Sequence, residues 1–239
     1  MKYIYGPIRS RRLGFSLGIS LTPRKTCSFD CVYCQLGKTT HRTAERKEYL
    51  KIEEVLEEIK QWVKENPEEV KKLDYMTFSG FGEPTLNTKF GQLILEIKKT
   101  APVKVAVITN STFISEPSVR KELLNADLIV PSLDAIEQDI FEKVDLPAEG
   151  IKIEDIIDGL IKLRKEYNGK IWLEVMFIKG INDETGQIKK IKAVIDRINP
   201  DKIQINSPIR KTKEQEISSL EKEKLEAIKR LFGDKAEII

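Results

Sequence analysis

Apolar residues recur along the chain in two alternating modes, short continuous runs and longer stretches at helical spacing. Phe15–Leu21 reads as a strand that opens onto a long loop. Ile52, Val55, Leu56, Ile59 and Val63 fall three and four apart, which predicts a helix from Lys51 to about Glu65. Pro67 breaks it, and Leu73–Phe78 is a compact apolar strand ending in a glycine-rich turn. Phe90, Leu93, Ile94 and Ile97 mark the next helix and Val103–Ile108 the next strand. A short helix at Ser118–Leu124, a strand at Leu128–Pro131 and helical turns at Ile136–Val144 continue the series. A helix through Ile153, Ile156, Ile157, Leu160 and Leu163 precedes the strongest strand, Ile171–Ile178. A helix through Ile188, Ile191, Ile195 and Ile198, a strand at Lys202–Ile205 and a charged amphipathic helix over Ser218–Phe232 close the pattern.

Strands alternating with crossover helices imply parallel βαβ units with right-handed connections. Six such units fit, whereas a full eightfold barrel usually takes ~250 residues. The expected fold is α/β, a partial (β/α)6 TIM-type barrel open on one side, formed by residues 1–239 as a single domain. Chemistry in parallel α/β folds gathers at the carboxyl ends of the strands. The polar segments fall there in order: the loop after Leu21, Ser79–Pro84, Thr109-Asn110, Ser132 with Asp134, Lys179-Gly180, and Asn206–Arg210.

Composition narrows the classes. The chain has 239 residues, 40% of them hydrophobic, which is enough for a real core and excludes low-complexity disorder. No run reaches the ~18 apolar residues of a membrane span, and the first residues show no leader pattern, so a cytoplasmic protein with no membrane partner is expected. Residues 1–51 hold eleven Lys/Arg against three Asp/Glu, a local +8 within a net +3. That bias suits an anionic partner such as RNA, or a solvated face.

The chemistry centres on Cys27, Cys31 and Cys34, the chain's three cysteines, spaced C-x3-C-x2-C. A tight odd-numbered set reads as metal ligation and not as disulfides. Zinc normally takes four protein ligands, and the single histidine, His41, lies outside the usual finger spacings. A [4Fe–4S] cluster normally takes four cysteines, so three would leave one iron open to an external ligand. Both centres remain candidates on spacing alone, with iron–sulfur favoured.

The motif, with aromatic Tyr33 before the third cysteine, resembles the signature of the radical S-adenosylmethionine (SAM) superfamily. Ser79-Gly80-Phe81-Gly82-Glu83-Pro84 is similar to that superfamily's Gly-Gly-Glu-Pro turn, with Phe81 set between the glycines. The resemblance implies a radical SAM core in which Cys27, Cys31 and Cys34 ligate three irons and SAM chelates the fourth. It implies that Gly80, Gly82 and Glu83 bind the SAM amino group, that Tyr33 packs near the adenine, and that Asn110, Ser132 and Asp134 serve the ribose and carboxylate. The implied reaction needs a low-potential electron donor. It cleaves SAM to methionine and a 5′-deoxyadenosyl radical that abstracts hydrogen from a substrate.

The segment Tyr5–Ile19, with Leu133-Asp134-Ala135 and Ile178–Asp183, is similar to the small iron–sulfur oxidoreductases grouped with wyosine-tRNA synthases. No cysteine is left for a second iron–sulfur cluster. Arg9, Arg11, Arg12, Lys179, Asn182, Asn206 and Arg210 are candidates for the substrate side, which on this resemblance would be tRNA or another anionic molecule. An activase of a glycyl-radical enzyme is the alternative within the superfamily. A non-catalytic, metal-stabilised RNA-binding module is the alternative outside it.

Overall fold

The computed structural model describes residues 1–208 and 217–239. Each apolar run of the sequence forms a strand and each helical-period stretch a helix. The strands are β1 (Ile4–Ser10), β2 (Gly14–Ile19), β3 (Thr26–Cys27), β4 (His41–Arg42), β5 (Tyr75–Phe78), β6 (Lys104–Thr109), β7 (Leu128–Pro131), β8 (Lys170–Met176), β9 (Lys202–Asn206) and β10 (Ala236–Ile238). The helices are α1 (Ile52–Glu65), α2 (Pro67–Val70), α3 (Phe90–Thr100), α4 (Pro117–Leu123), α5 (Gln138–Val144), α6 (Ile153–Glu166), α7 (Thr185–Ile198) and α8 (Lys222–Phe232).

Eight strands form one sheet in the order β1-β2-β5-β6-β7-β8-β9-β10. Every neighbouring pair is parallel except β1 with β2. The edges β1 and β10 do not pair with each other, so the barrel is open on one side. This is the expected partial TIM-type barrel, enlarged by two edge strands. β1 escapes the hydrophobic pattern because Gly6-Pro7 interrupts it, and its register against β2 shifts between Tyr5 and Ile8 at that dipeptide.

Alternation along the strands separates two environments. Leu17, Met76, Val105, Val107, Ile129, Leu173 and Ile203 join the main core under the helices. The intervening Ala106, Leu128 and Val130 face the barrel interior and pack there with Leu13. Leu13 belongs to the β1–β2 turn, at the amino ends of the parallel strands. The turn therefore folds under the barrel and plugs its floor. Gly18 permits a second intrusion: any side chain there would strike the ring of Tyr5, which lies across the strand.

Candidate active site at the carboxyl ends of the strands

The chain leaves β2 into the cysteine loop, which is braced from both sides. Cys27 lies in the short β3, paired with Arg42 of β4. Cys34 N–H donates to Cys31 O at 3.0 Å and Gly37 N–H to Cys34 O at 3.1 Å, which winds the second and third cysteines into one turn. From the far side, Asp30 N–H reaches Asp145 O at 3.0 Å and Val32 N–H reaches Val144 O at 3.0 Å. The buried Lys25 donates from Nζ to Gly37 O, and Asp30 accepts from Thr39 N–H at 2.6 Å.

All three thiols are free and half-buried. Burial, with the nearby Glu83 charge, pushes the Cys27 thiol up to about 12. Burial and Asp145 push the Cys31 thiol higher than its ordinary value too. Thiolates here need a compensating cation, which a metal centre supplies. Among the described residues, no three His, Cys, Asp or Glu side chains converge on a single-ion site. Cys31 and Cys34 share one turn and Cys27 lies within electrostatic reach of both, a donor set that suits a centre held by three thiolates.

The glycine-rich turn after β5 lies directly against this loop. Gly82 forms a parallel bridge with Thr26. A Cβ on Gly82 would run into the Thr26 carbonyl, so glycine is what allows the two segments to touch. Gly80 adopts φ +104°, with Ser20 and Tyr5 about the position its Cβ would take. Glu83 is buried, and both its oxygens are used inside the protein. Oε1 accepts from Thr85 N–H at 3.0 Å, Thr85 Oγ1 at 2.6 Å and Thr109 Oγ1 at 2.7 Å, while Oε2 accepts from Asn110 N–H at 2.7 Å. Burial raises the Glu83 carboxyl and these hydrogen bonds oppose the rise. The side chain thus clamps the turn to the end of β6.

A narrow cleft beside the cysteines gathers Tyr33, Asn110, Ser132 and Asp134 from three separate segments, with Phe29 and Asp145. Asn110 Nδ2 donates to Ser28 Oγ at 2.9 Å and approaches Cys27 Sγ at 3.6 Å. Tyr33 donates its hydroxyl to Asp134, which also accepts from Met176 N–H at 2.8 Å. Burial pushes the Asp134 carboxyl up to about 7. Asp145 accepts from Cys31 Sγ at 3.3 Å, and burial next to Asp134 raises it well above the ordinary carboxylate range. No motif marks Asp145, because its partner lies 114 residues away in sequence.

The substrate-side expectations fare differently. Arg9 and Arg11 are exposed on and beside the β1–β2 turn, at the amino ends of the strands, away from the cysteine loop. They do not rim the mouth, because β1 runs antiparallel to β2 and carries them to the opposite end. Arg12 points into the barrel, where Glu174 neutralises it at 2.6 Å. Asn182 is fully buried; it accepts from Ile178 N–H at 2.7 Å and donates to Asp134 O at 2.8 Å and Met176 O at 2.7 Å. It braces the turn after β8 and presents nothing to a substrate. Lys179 is exposed at the rim and paired with Glu221 at 3.1 Å. Asn206 lies inside the barrel with its amide on Glu174 at 2.9 Å. Arg210 falls outside the described residues.

A parallel partial barrel with three free cysteines on its first loop and a Gly-Glu-Pro turn on its second is the class of fold and site that the chain presents. The chain belongs to the radical SAM superfamily, whose family model matches residues 21–190. It is 38% identical, over 97% of its length, to a protein of Brachyspira hyodysenteriae named GTPase Obg, and spans 33% of that protein. It is 34% identical to a UPF0026 protein of Methanocaldococcus jannaschii over 98% of this chain and 72% of that one. The solved structure of TYW1 with a lysine–pyruvate adduct shares the fold at a TM-score of 0.65 and 17% identity, over 92% of this chain and 74% of that chain. The protein is therefore a radical SAM enzyme, with a [4Fe–4S] cluster and SAM as its cofactors. A non-catalytic binding module is set aside. Among the described residues, no helix is long and apolar enough to cross a membrane.

Proposed function

We propose that Cys27, Cys31 and Cys34 hold three irons of the cluster, and that SAM occupies the adjoining cleft beside Tyr33, Asn110, Ser132 and Asp134. The observation that carries the assignment is the Thr26–Gly82 bridge, which fixes the cysteine loop against the glycine-rich turn. The cluster, when bound, supplies the electron that cleaves SAM to methionine and the 5′-deoxyadenosyl radical. The chain's own residues position and shield. Gly80 and Gly82 expose backbone to the SAM amino group, Glu83 holds that backbone in place from behind, and Asp134 and Tyr33 form one polar wall. The packed floor under Leu13 keeps bulk water from entering below, which protects a radical from quenching.

The second half-reaction is hydrogen abstraction from a substrate that reaches the barrel interior. Arg24, Lys38 and Arg42 are exposed on the cysteine loop and have no acidic partner within ion-pair distance among the described residues. This positive rim favours RNA, or another phosphate-bearing molecule, in a cytoplasmic setting. We take residues 1–239 as one catalytic core. Anaerobic reconstitution with iron and sulfide, followed by reduction with SAM present, is expected to give 5′-deoxyadenosine in wild type and none in C31A. A protein that binds one zinc per chain and leaves SAM intact would overturn this function.

A further inference from the structure

The barrel interior holds an ion pair that the cofactor assignment does not use. Arg12 rises from the β1–β2 turn and donates from Nη2 to Glu174 Oε1 at 2.6 Å, with the Glu174 side chain only 5% exposed. Asn206 Nδ2 donates to the same oxygen at 2.9 Å. Gln204 donates to Arg12 O at 3.3 Å and to Glu237 Oε1 at 3.0 Å. Glu174 also bridges to Ser132 across the β7–β8 boundary, and its carbonyl accepts from Leu133 N–H at 3.0 Å. The Glu174 backbone therefore lies beside Ser132, one of the residues assigned to SAM.

A buried ion pair is often replaceable by apolar side chains without loss of stability, and Leu13 already closes the floor with an apolar plug. The pairing is also lopsided. Both bonds to the Glu174 carboxylate land on Oε1, and Oε2 has no partner among the described residues. Arg12 uses one of its five N–H donors on a side chain, and its buried Nε has no partner, nor has the buried Oε1 of Gln204. A carboxylate oxygen and guanidinium N–H groups of one ion pair are thus left with bonding capacity to spare.

We propose that Arg12, Glu174 and Asn206 form the substrate-recognition site, and that it takes the edge of an amide or lactam. The substrate N–H would donate to Glu174 Oε2 and its carbonyl oxygen would accept from the Arg12 guanidinium. Phosphate or carboxylate groups would meet the Glu174 charge and cationic groups the Arg12 charge, so a neutral donor–acceptor edge is the chemistry that matches. A nucleobase of RNA and a small lactam or carboxamide carry the same edge. The proposal rests on SAM occupying the cleft.

The test uses the reconstituted holoenzyme, SAM and dithionite, with two perdeuterated pools presented separately: total RNA and an ultrafiltered small-molecule extract. The readout is the fraction of 5′-deoxyadenosine that carries deuterium, which does not depend on how much SAM is cleaved. R12M/E174M removes both charges together and leaves neither stranded. Two hydrogen bonds to charged groups at about 1.5–3 kcal/mol each imply a fall in that fraction of at least about 100-fold, and the conservative E174Q is expected to lose about tenfold. Label from one pool only identifies the source and supports the proposal. An unchanged labelled fraction in R12M/E174M overturns it, even if total yield falls, because that is what a merely structural staple would give. Wild type that cleaves SAM yet takes label from neither pool also overturns it. Failure of the underlying function shows itself separately, as no 5′-deoxyadenosine from wild type.

Discussion

Substituting Gly82 by alanine tests how the cysteine loop is held. The added Cβ would overlap the carbonyl oxygen of Thr26 and stand 2.7 Å from both the Thr26 carbonyl carbon and Thr22 Oγ1. Ordinary contact begins near 3.4 Å, and 3.4 minus 2.7 gives a displacement of about 0.7 Å for the carbon alone, more for the oxygen. Thr22 can rotate, but the Thr26 backbone cannot, so β3 must move by well over 1 Å and carry Cys27 with it. Overpacking of this kind costs about 1–3 kcal/mol, and in a chain of this size each kcal/mol lowers Tm by about 2–4 °C. The protein should remain folded. A misplacement of about 1 Å at reacting groups costs about 100-fold in rate, so 5′-deoxyadenosine formation should fall by at least that factor while circular dichroism stays native. The assay is anaerobic reconstitution with iron and sulfide counted per chain, followed by single-turnover SAM cleavage. A G82A protein with a full cluster complement and a rate within twofold of wild type would refute the reasoning.

E83Q should lower the Tm of the cofactor-free protein, since either orientation of the new amide turns an N–H group toward the N–H of Thr85 or Asn110. The expected loss is about 1–3 kcal/mol, read by thermal melting without SAM. N182A strands three buried backbone groups and should cost about 3–5 kcal/mol in denaturant unfolding, far more than a surface change. Asp134 is held up to about 7 by burial, against an ordinary value of 3.8. Between those values it is protonated when folded and ionised when unfolded, so the contribution of Asp134 to cofactor-free stability is present in full below its unfolded value and is lost as pH rises toward 7. Melting temperatures measured from pH 5 to 8 should decline, and D134N should flatten the decline; an equal slope in D134N would contradict the assignment.

The core strands and covering helices were readable because periodicity is a local property. β10 was not, since Lys235-Ala236-Glu237 mixes charge into a short edge strand. β1 was hidden by Gly6-Pro7, and that omission misplaced Arg9, Arg11 and Arg12, whose end of the barrel depends on β1 doubling back along β2. The cysteines and the Gly-Glu-Pro turn were legible because each motif is contiguous. Their mutual contact was not, because the fit of Gly82 against Thr26 links segments that the sequence keeps more than fifty residues apart.

Glu174 marks the limit of local pattern more sharply, and also shows what signal it left. It sits in Trp172-Leu173-Glu174-Val175-Met176, the strongest apolar strand of the chain. A strand of a helix-covered parallel barrel is buried on both faces, so a charged residue at its centre has no route to bulk water along either face. Leu173 and Val175 lie in the core under the helices, which leaves Glu174 to face the barrel interior. Its partner had to come from elsewhere, and Arg12 lies 162 residues away in sequence. An isolated carboxylate in that strand would neutralise or unfold its surroundings. The arginine-bearing turn and the acidic strand therefore require each other, and the bonding capacity left over after they meet is what the barrel offers to a substrate.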